Sequence, residues 1–224
     1  GRLIVFNTDS DFDHVWGNGA FDNSDILAHT LARKRMKERW EFDYSKLSRF
    51  RQVDIFMRLP NITFSDSLFF EDDGVEFRHM PGHTVCSSVC LDWQESVLFA
   101  GDLLEEPVPV TLWGDLVTFT ETLKSLRNLN FSTVISAHSG VVGPELFERN
   151  IEYIKDLLLR KEIAFPAGAD DGAHPFNVKY LKYLKYEEMA RAKEGESFDF
   201  SKFKREFWAF VGYDQERMAE ESKI

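Results

Sequence analysis

Four residues of types that commonly bind metal ions lie within six positions near the start of the chain: Asp9, Asp11, Asp13 and His14. They follow a short apolar segment, residues 3–6, that is typical of a buried strand. At the end of a strand, side chains two positions apart point in the same direction, so the three carboxylates could converge. Three like charges this close are unfavourable unless a cation or protons neutralise them. The segment therefore indicates either a metal site or a solvated acidic loop.

Two familiar acidic patterns resemble this segment only in part. An EF-hand loop requires Gly at its sixth position and Glu at its twelfth. Counted from Asp9, these positions hold His14 and Ala20, so an EF-hand is excluded. A haloacid-dehalogenase-type phosphatase also begins with an apolar strand and Asp-x-Asp, which Asp9 and Asp11 would match. That family expects Thr or Val where Asp13 stands, and it gives no role to the histidines described next.

Three further chemically reactive residues follow apolar segments or turns later in the chain. His83 lies in a Pro-Gly turn between two predicted strands, Asp102 follows the apolar segment 97–100, and His138 ends the apolar segment 133–137. A single histidine after a strand is more often a hydrogen-bonded structural residue. The repetition of His or Asp at strand ends, together with the acidic segment, predicts one shared site. The remaining histidines are interpreted as structural: His29, His79 and His174.

Four segments, in order, carry a resemblance to the metallo-β-lactamase-fold superfamily. Residues 7–18, Asn-Thr-Asp-Ser-Asp-Phe-Asp-His-Val-Trp-Gly-Asn, resemble its His-x-His-x-Asp-His motif, and residues 82–87 resemble its Gly-His-Thr-x-x-Ser motif. Residues 99–102 and 137–140 resemble the strands that carry its bridging Asp and its last His. The glyoxalase II-like and persulfide-dioxygenase-like branches, which use a bridging Asp, are the most similar. The resemblance implies an αβ/βα sandwich, here without the strands that usually precede the first motif.

This resemblance implies two adjacent metal sites. The second would use Asp13, His14, Asp102 and His138, all of which are present. The first would use positions 9 and 11 with His83 and Asp102, but Asp9 and Asp11 stand where the family has histidines. We therefore expect one or two divalent ions: zinc, or manganese or iron, because oxygen ligands favour harder ions. Asp13 is also the predicted catalytic residue, which would bind metal and orient the nucleophile.

The function implied is a metal-dependent hydrolase, in which a metal-bound water attacks an ester, thioester, lactone or phosphoester. One alternative is a catalytically silent protein that keeps the fold for binding or assembly, as the two substituted histidines would suggest. A lower-ranked alternative is a mononuclear iron oxidoreductase like the persulfide dioxygenases.

Composition sets limits on partners and location. The chain has 224 residues, 43% of them hydrophobic, and a formal net charge of −11, with basic and acidic residues mixed. This balance argues against nucleic acid as a partner. The expected partner is the small-molecule substrate of the hydrolase that the resemblance implies. No apolar segment reaches transmembrane length, and two cysteines are too few for a disulfide framework, so we expect a cytoplasmic protein with no membrane contact.

Alternating strand and helix patterns predict an α/β (α+β) fold class. Strands are predicted at 3–6, 25–28, 67–70, 75–79, 88–91, 97–100 and 133–137, and helices at 30–40, 44–59, 116–126 and 144–161. Residues 1–165 are predicted to form the metallo-β-lactamase-like domain, residues 166–175 a linker, and residues 176–224 a helical C-terminal extension. The aromatic residues of this extension suggest that the chain could form a homo-oligomer through it.

Overall fold

The computed structural model describes residues 3–165 and 172–210, which form two sheets with helices outside them. The first sheet has three parallel strands in the order β1, β2, β3. The second has six strands in the order β4 to β9; β7 and β8 are parallel and the other neighbours antiparallel. The strands are β1 (Ile4–Asn7), β2 (Asp25–His29), β3 (Ile62–Phe64), β4 (Ser67–Phe70), β5 (Val75–His79), β6 (Ser88–Asp92), β7 (Val97–Gly101), β8 (Thr133–Ser136) and β9 (Gly140–Val142).

The helices differ in length and position. They are α1 (Phe12–Val15), α2 (Thr30–Lys46), α3 (Leu116–Asn128), α4 (Glu145–Leu158), α5 (Ala173–Glu194) and α6 (Phe200–Phe210), with short 3-10 helices at Trp16–Ala20, Ser48–Phe50 and Gly195–Ser197. No helix within the described ranges is long and apolar enough to cross a membrane.

Apolar side chains between the layers hold the sandwich together. Phe6 of the first sheet and Phe77 of the second have ring centroids 4.7 Å apart, so the two sheets face each other. Ala32 of α2 packs with Ala28 on the first sheet, and the amphipathic helices α3 and α4 cover the second. The layer order is therefore helix, sheet, sheet, helices, and the predicted αβ/βα sandwich with C-terminal helices is confirmed.

Most predicted elements occur close to their predicted positions, but the helix predicted at 44–59 is wrong. Helix α2 instead continues to Lys46, and residues 51–61 form no helix or strand. In this segment Val53, Phe56 and Met57 are exposed, so its apolar residues do not form a buried helical stripe. Strands β3 and β9 were not predicted, because each has only three residues and too short a pattern to recognise.

The C-terminal helices contact the sandwich through buried polar groups. Asn177 of α5 is fully buried; its Oδ1 accepts the Thr111 N–H at 2.9 Å, and its Nδ2 donates to the Pro109 carbonyl at 2.8 Å. Helix α5 begins at Ala173, inside the predicted linker, so His174 is helical and lies near Tyr153. Residues 166–171 of that linker and residues 211–224 of the predicted extension lie outside the described residues, and the division into domains stays a prediction.

Gly82, immediately before His83, packs where no side chain fits. A Cβ at this position would lie 2.4 Å from Phe119 Cδ2 and 2.8 Å from Leu103 Cδ2, both on fully buried side chains. We expect Gly82→Ala to lower the free energy of unfolding by about 1–3 kcal/mol through overpacking, measured by urea denaturation. Gly17→Ala is the matched control, since a Cβ there meets no atom within 4 Å. Equal losses in both variants would contradict this account.

Candidate metal centre

The first motif forms a closed loop at the end of β1. The Asn7 side chain donates from Nδ2 to the His14 carbonyl at 3.0 Å, and Asn7 and Asn18 exchange two amide hydrogen bonds of 2.9 Å each. The Asp11 N–H donates to Asp9 Oδ1 at 2.9 Å, which turns the chain into α1. The loop therefore directs its acidic side chains and His14 towards the loops that follow the strands of the second sheet.

Asp102 lies at the end of β7, where Gly101 makes the turn. Gly101 has a φ of +58°, and a Cβ there would lie 2.9 Å from Thr8 Cβ, so glycine permits both the turn and the close approach of β1. Thr8 in turn places its hydroxyl 3.0 Å from His14 Nδ1. The loops after β1 and β7 are thereby held against each other.

Three imidazole nitrogens surround one carboxylate oxygen at the centre of the site. Asp102 Oδ2 lies 3.1 Å from His14 Nε2, 3.4 Å from His138 Nε2 and 3.7 Å from His83 Nε2. The other oxygen of Asp102, Oδ1, is buried and accepts no hydrogen bond from the described residues. Histidines and a carboxylate that converge in this way form a set of donor atoms suited to a divalent cation.

The contacts of His83 show that the donor atoms around Asp102 require a proton or a cation between them. Its Nδ1 lies 2.8 Å from the Val110 carbonyl, which can only accept, so Nδ1 carries the hydrogen. Its Nε2 then faces Asp11 Oδ2 at 3.1 Å and Asp102 Oδ2 at 3.7 Å. Because these atoms all carry lone pairs, their close approach is unfavourable without a positive charge between them.

The acidic groups of the centre differ in their environments. Burial raises the pKa of Asp9 to about 6, although the charge of His14 partly offsets it. Burial acts in the same direction on Asp11, but the His83 hydrogen bond and the Arg39 charge outweigh it and lower the pKa to about 2. For Asp102, the hydrogen bonds with His138 and His14 outweigh the effect of burial and hold the pKa well below its usual range.

The histidines are shifted in the opposite direction. Burial by itself lowers the pKa of His14, but the Asp102 hydrogen bond and the charges of Asp9, Asp102 and Asp13 outweigh it and raise the pKa to about 10. The hydrogen bond with Asp102 also raises the pKa of His138 to about 9. The carboxylates thus create a strongly negative potential at the point where the imidazoles meet, which is the potential that a cation would neutralise.

The structure brings six of the seven predicted ligands into groups whose donor atoms all lie within 4.8 Å of one another: Asp13 with His14 and His138, and Asp9 with His83 and Asp102. The seventh, Asp11, belongs to neither group; its two oxygens face His83 and Arg39 instead. The predicted ligands differ in burial. Asp9 and His83 are buried, whereas the side chains of Asp13 and His138 are 38% and 51% exposed. The exposed side is the mouth of the site.

Sequence reasoning missed two residues at this centre. Glu105 forms a third group with Asp102 and His138, and it is buried, with Oε2 accepting the Val110 N–H at 2.8 Å. Arg39 lies in the middle of α2, with Nη1 3.6 Å from Asp11 Oδ1 and Nε 3.4 Å from Asp43 Oδ2. Of these two residues, only Glu105 could have been recognised from the sequence, because it lies three residues after Asp102.

The histidines interpreted as structural have structural partners. The rings of His29 and His79 stack 3.8 Å apart, and their Nε2 atoms lie 2.8 Å from the Ser65 carbonyl and 2.9 Å from the Val85 carbonyl. His29 also precedes α2, where its Nδ1 accepts the Leu31 N–H at 3.3 Å. His174 contacts the Tyr153 hydroxyl at 3.2 Å, away from the metal-ligand groups.

This chain is similar to known proteins in both sequence and structure. A family model described as the metallo-beta-lactamase superfamily matches residues 3–138. An archaeal metallo-beta-lactamase superfamily protein from Sulfolobus tokodaii is similar in structure, with a TM-score of 0.55 and 20% identity over 81% of each chain. A metallo-beta-lactamase from Hirschia baltica has a TM-score of 0.52 and 16% identity over 68% of this chain and 67% of its own. A search of curated protein sequences finds no significant match.

Proposed function

Because this chain belongs to the metallo-beta-lactamase superfamily, we propose that it is a metal-dependent hydrolase. Its substrate would be an ester, thioester, lactone or phosphoester. The observation that carries the proposal is the convergence of His14, His83 and His138 on one oxygen of Asp102. A divalent cation bound there would act as a Lewis acid and lower the pKa of a water molecule towards neutrality.

The residues at the mouth would position the reactants. Asp13 Oδ2 lies 3.3 Å from His138 Nε2 and 3.7 Å from His14 Nε2, and Asp13 is the most accessible carboxylate of the centre. A carboxylate in this position can accept a hydrogen bond from an attacking water and so fix its direction of attack. His14 and His138 would hold the cation beside it, and Asp102 would connect the exposed side with the buried side.

The two ligand groups differ in chemistry. The exposed group supplies two imidazoles and one carboxylate, a combination that suits zinc or iron. The buried group supplies Asp9, Asp102 and a single imidazole, so a second ion there would be a harder one such as manganese or iron. In this proposal Asp9 would take the place of its histidine as a ligand, whereas Asp11 pairs with Arg39 and His83.

Elemental analysis tests the proposal most directly. We expect the wild-type protein, purified without chelator, to contain about one or two equivalents of zinc, manganese or iron per chain, and His138→Ala to lose most of it, because His138 belongs to two of the three ligand groups. His174→Ala is the matched control, since this histidine lies outside all three groups. The metal found then determines the conditions for screening ester, thioester, lactone and phosphoester substrates.

A second candidate function is a catalytically silent protein that keeps the fold for binding or assembly. The Asp11–Arg39 contact favours it, because this contact places a fixed positive charge beside the buried ligands. If neither wild type nor variant binds metal even after reconstitution, the chain is a silent member of the superfamily, and the search turns from substrates to partners, including a second copy of the chain. Oxygen consumption with a persulfide would instead identify the lower-ranked iron oxidoreductase.

A further inference from the structure

A large cavity that is open to solvent lies beside the metal centre, between α2, α5, the end of α4 and the loop before α3. Its volume is about 870 Å³, which is within the range of small-molecule binding sites. Arg35 and Arg39 of α2 line one side, and Tyr180 and Leu184 of α5 line another. None of the predicted ligands of the metal centre lines this cavity within the described residues.

The cavity adjoins the buried half of the metal centre. Arg35 Nε donates to Ser10 Oγ at 3.4 Å, and Ser10 lies between Asp9 and Asp11 in the chain. The Leu112 N–H, at the cavity wall, donates to the His83 carbonyl at 2.8 Å. A ligand in the cavity would therefore lie one residue layer away from the buried metal ligands.

Some of the charged side chains that line the cavity are in ion pairs, and others are not. Arg39 is paired with Asp11 and Asp43, and Arg191 with Glu38 and Glu187. Among the described lining residues, three cations have no ion-pair partner, Arg35, Arg160 and Lys185, whereas the acidic residues without a cation are Glu188 and Asp115. The Asp115 carboxylate already accepts hydrogen bonds from Thr118 at the start of α3. Arg160 and Lys185 are exposed, whereas Arg35 is partly buried at the cavity wall, so Arg35 is the cation best placed to meet an anionic group inside the cavity.

The remaining wall is aromatic and aliphatic. Trp113 and Tyr180 offer ring surfaces, and Leu112, Leu181 and Leu184 add apolar area. A ligand that satisfies both parts of the wall combines an anionic group with an apolar or aromatic body. Arg35 is suited to the anionic group because a guanidinium can donate two parallel hydrogen bonds to a carboxylate, phosphate or sulfonate.

We propose that this cavity binds a small organic acid with an apolar body and that Arg35 recognises its anionic group. The chain around Ser10 and His83 separates the cavity from the metal centre, and none of the predicted metal ligands is among the described lining residues, so binding there requires neither metal nor hydrolysis.

Calorimetric titration with two matched probes tests the inference on the full chain without metal. Naphthalene-2-sulfonate carries the anion and the aromatic body, and naphthalene-2-sulfonamide has the same body without the charge. We expect saturable binding of the sulfonate with about one equivalent, and roughly tenfold weaker binding of the sulfonamide. Arg35→Met should weaken sulfonate binding by roughly tenfold and leave the sulfonamide unchanged.

Two further variants keep the test interpretable. Lys34→Met removes one charge from the exposed side of the same helix and should change neither affinity. Leu184→Trp fills the cavity from α5 and should abolish binding of both probes, even if Arg35→Met does not fold. No saturable sulfonate binding at millimolar concentration, or equal affinity in wild type and the Arg35 and Leu184 variants, overturns the inference.

Separate measurements distinguish this inference from the proposed function. Sulfonate binding that depends on Arg35, in a protein that binds no metal and hydrolyses no ester, would refute the hydrolase and leave the cavity assignment standing. Hydrolysis by a wild-type protein that shows no saturable sulfonate binding would do the reverse.

Discussion

Replacing Asp102 with Asn is expected to remove metal binding while the fold is retained. Asn has the same shape as Asp, but its amide is a poor ligand and carries no charge. Because the Nε2 atoms of His14, His83 and His138 all lie within 3.1–3.7 Å of Asp102 Oδ2, the substitution affects every ligand group that shares this oxygen. Even a residue that only supports a ligand contributes roughly 10- to 100-fold to metal affinity, so a shared ligand should exceed this range.

Two measurements check this expectation. Metal affinity is obtained by titration with zinc and manganese, and hydrolysis is measured with whichever substrate the wild type accepts; both should fall by roughly a hundredfold or more. Asp73→Asn, in the exposed turn between β4 and β5, is the matched control and should leave both unchanged. An Asp102→Asn protein that retains wild-type metal affinity would show that the histidines converge for structural reasons only.

Arg39→Met is expected to cause the largest loss of stability among the changes considered. Arg39 is the cation that faces two buried carboxylates, with its Nη1 3.6 Å from Asp11 Oδ1 and its Nε 3.4 Å from Asp43 Oδ2. Methionine preserves much of the apolar stem but leaves Asp11 and Asp43 without this partner. Breaking a buried ion pair on one side costs about 3–5 kcal/mol, because the remaining charge stays desolvated.

Urea denaturation at neutral pH measures this loss. We expect Arg39→Met to lower the free energy of unfolding by about 3 kcal/mol, and Lys37→Met, on the exposed side of the same helix, to change it by less than about 0.5 kcal/mol. A loss below about 1 kcal/mol in Arg39→Met would contradict this account. It would mean that these ion pairs stabilise the folded protein no more than exposed ion pairs do.

Local sequence patterns were sufficient to predict most strands and helices of the fold. The apolar segments before Asp9, Asp102 and His138 indicated strands, and the strand ends indicated that these residues meet at one edge of the sandwich. The amphipathic pattern of α4 was equally clear, since its apolar residues form one buried stripe. The segment at 44–59 was predicted incorrectly because helix-forming composition extends past Lys46 although no surface covers it.

The sequence alone determined the kinds of groups available, their order along the chain and the family they resemble. It did so because strand ends and turns are local features, and because residue type decides which atoms can bind a cation. It left open whether Asp9 and Asp11 act as ligands, and it did not indicate Arg35 or Arg39.

Only the tertiary structure shows which groups the side chains of these two aspartates face. Asp9 turns towards His83 and Asp102, whereas Asp11 lies between His83 and a guanidinium that α2 supplies from 28 positions later in the chain, at Arg39. The packing of α2 and α5 likewise creates the cavity beside the centre. These contacts join residues far apart in sequence, and they depend on the distances and burial that packing sets, which no local pattern of residue types specifies.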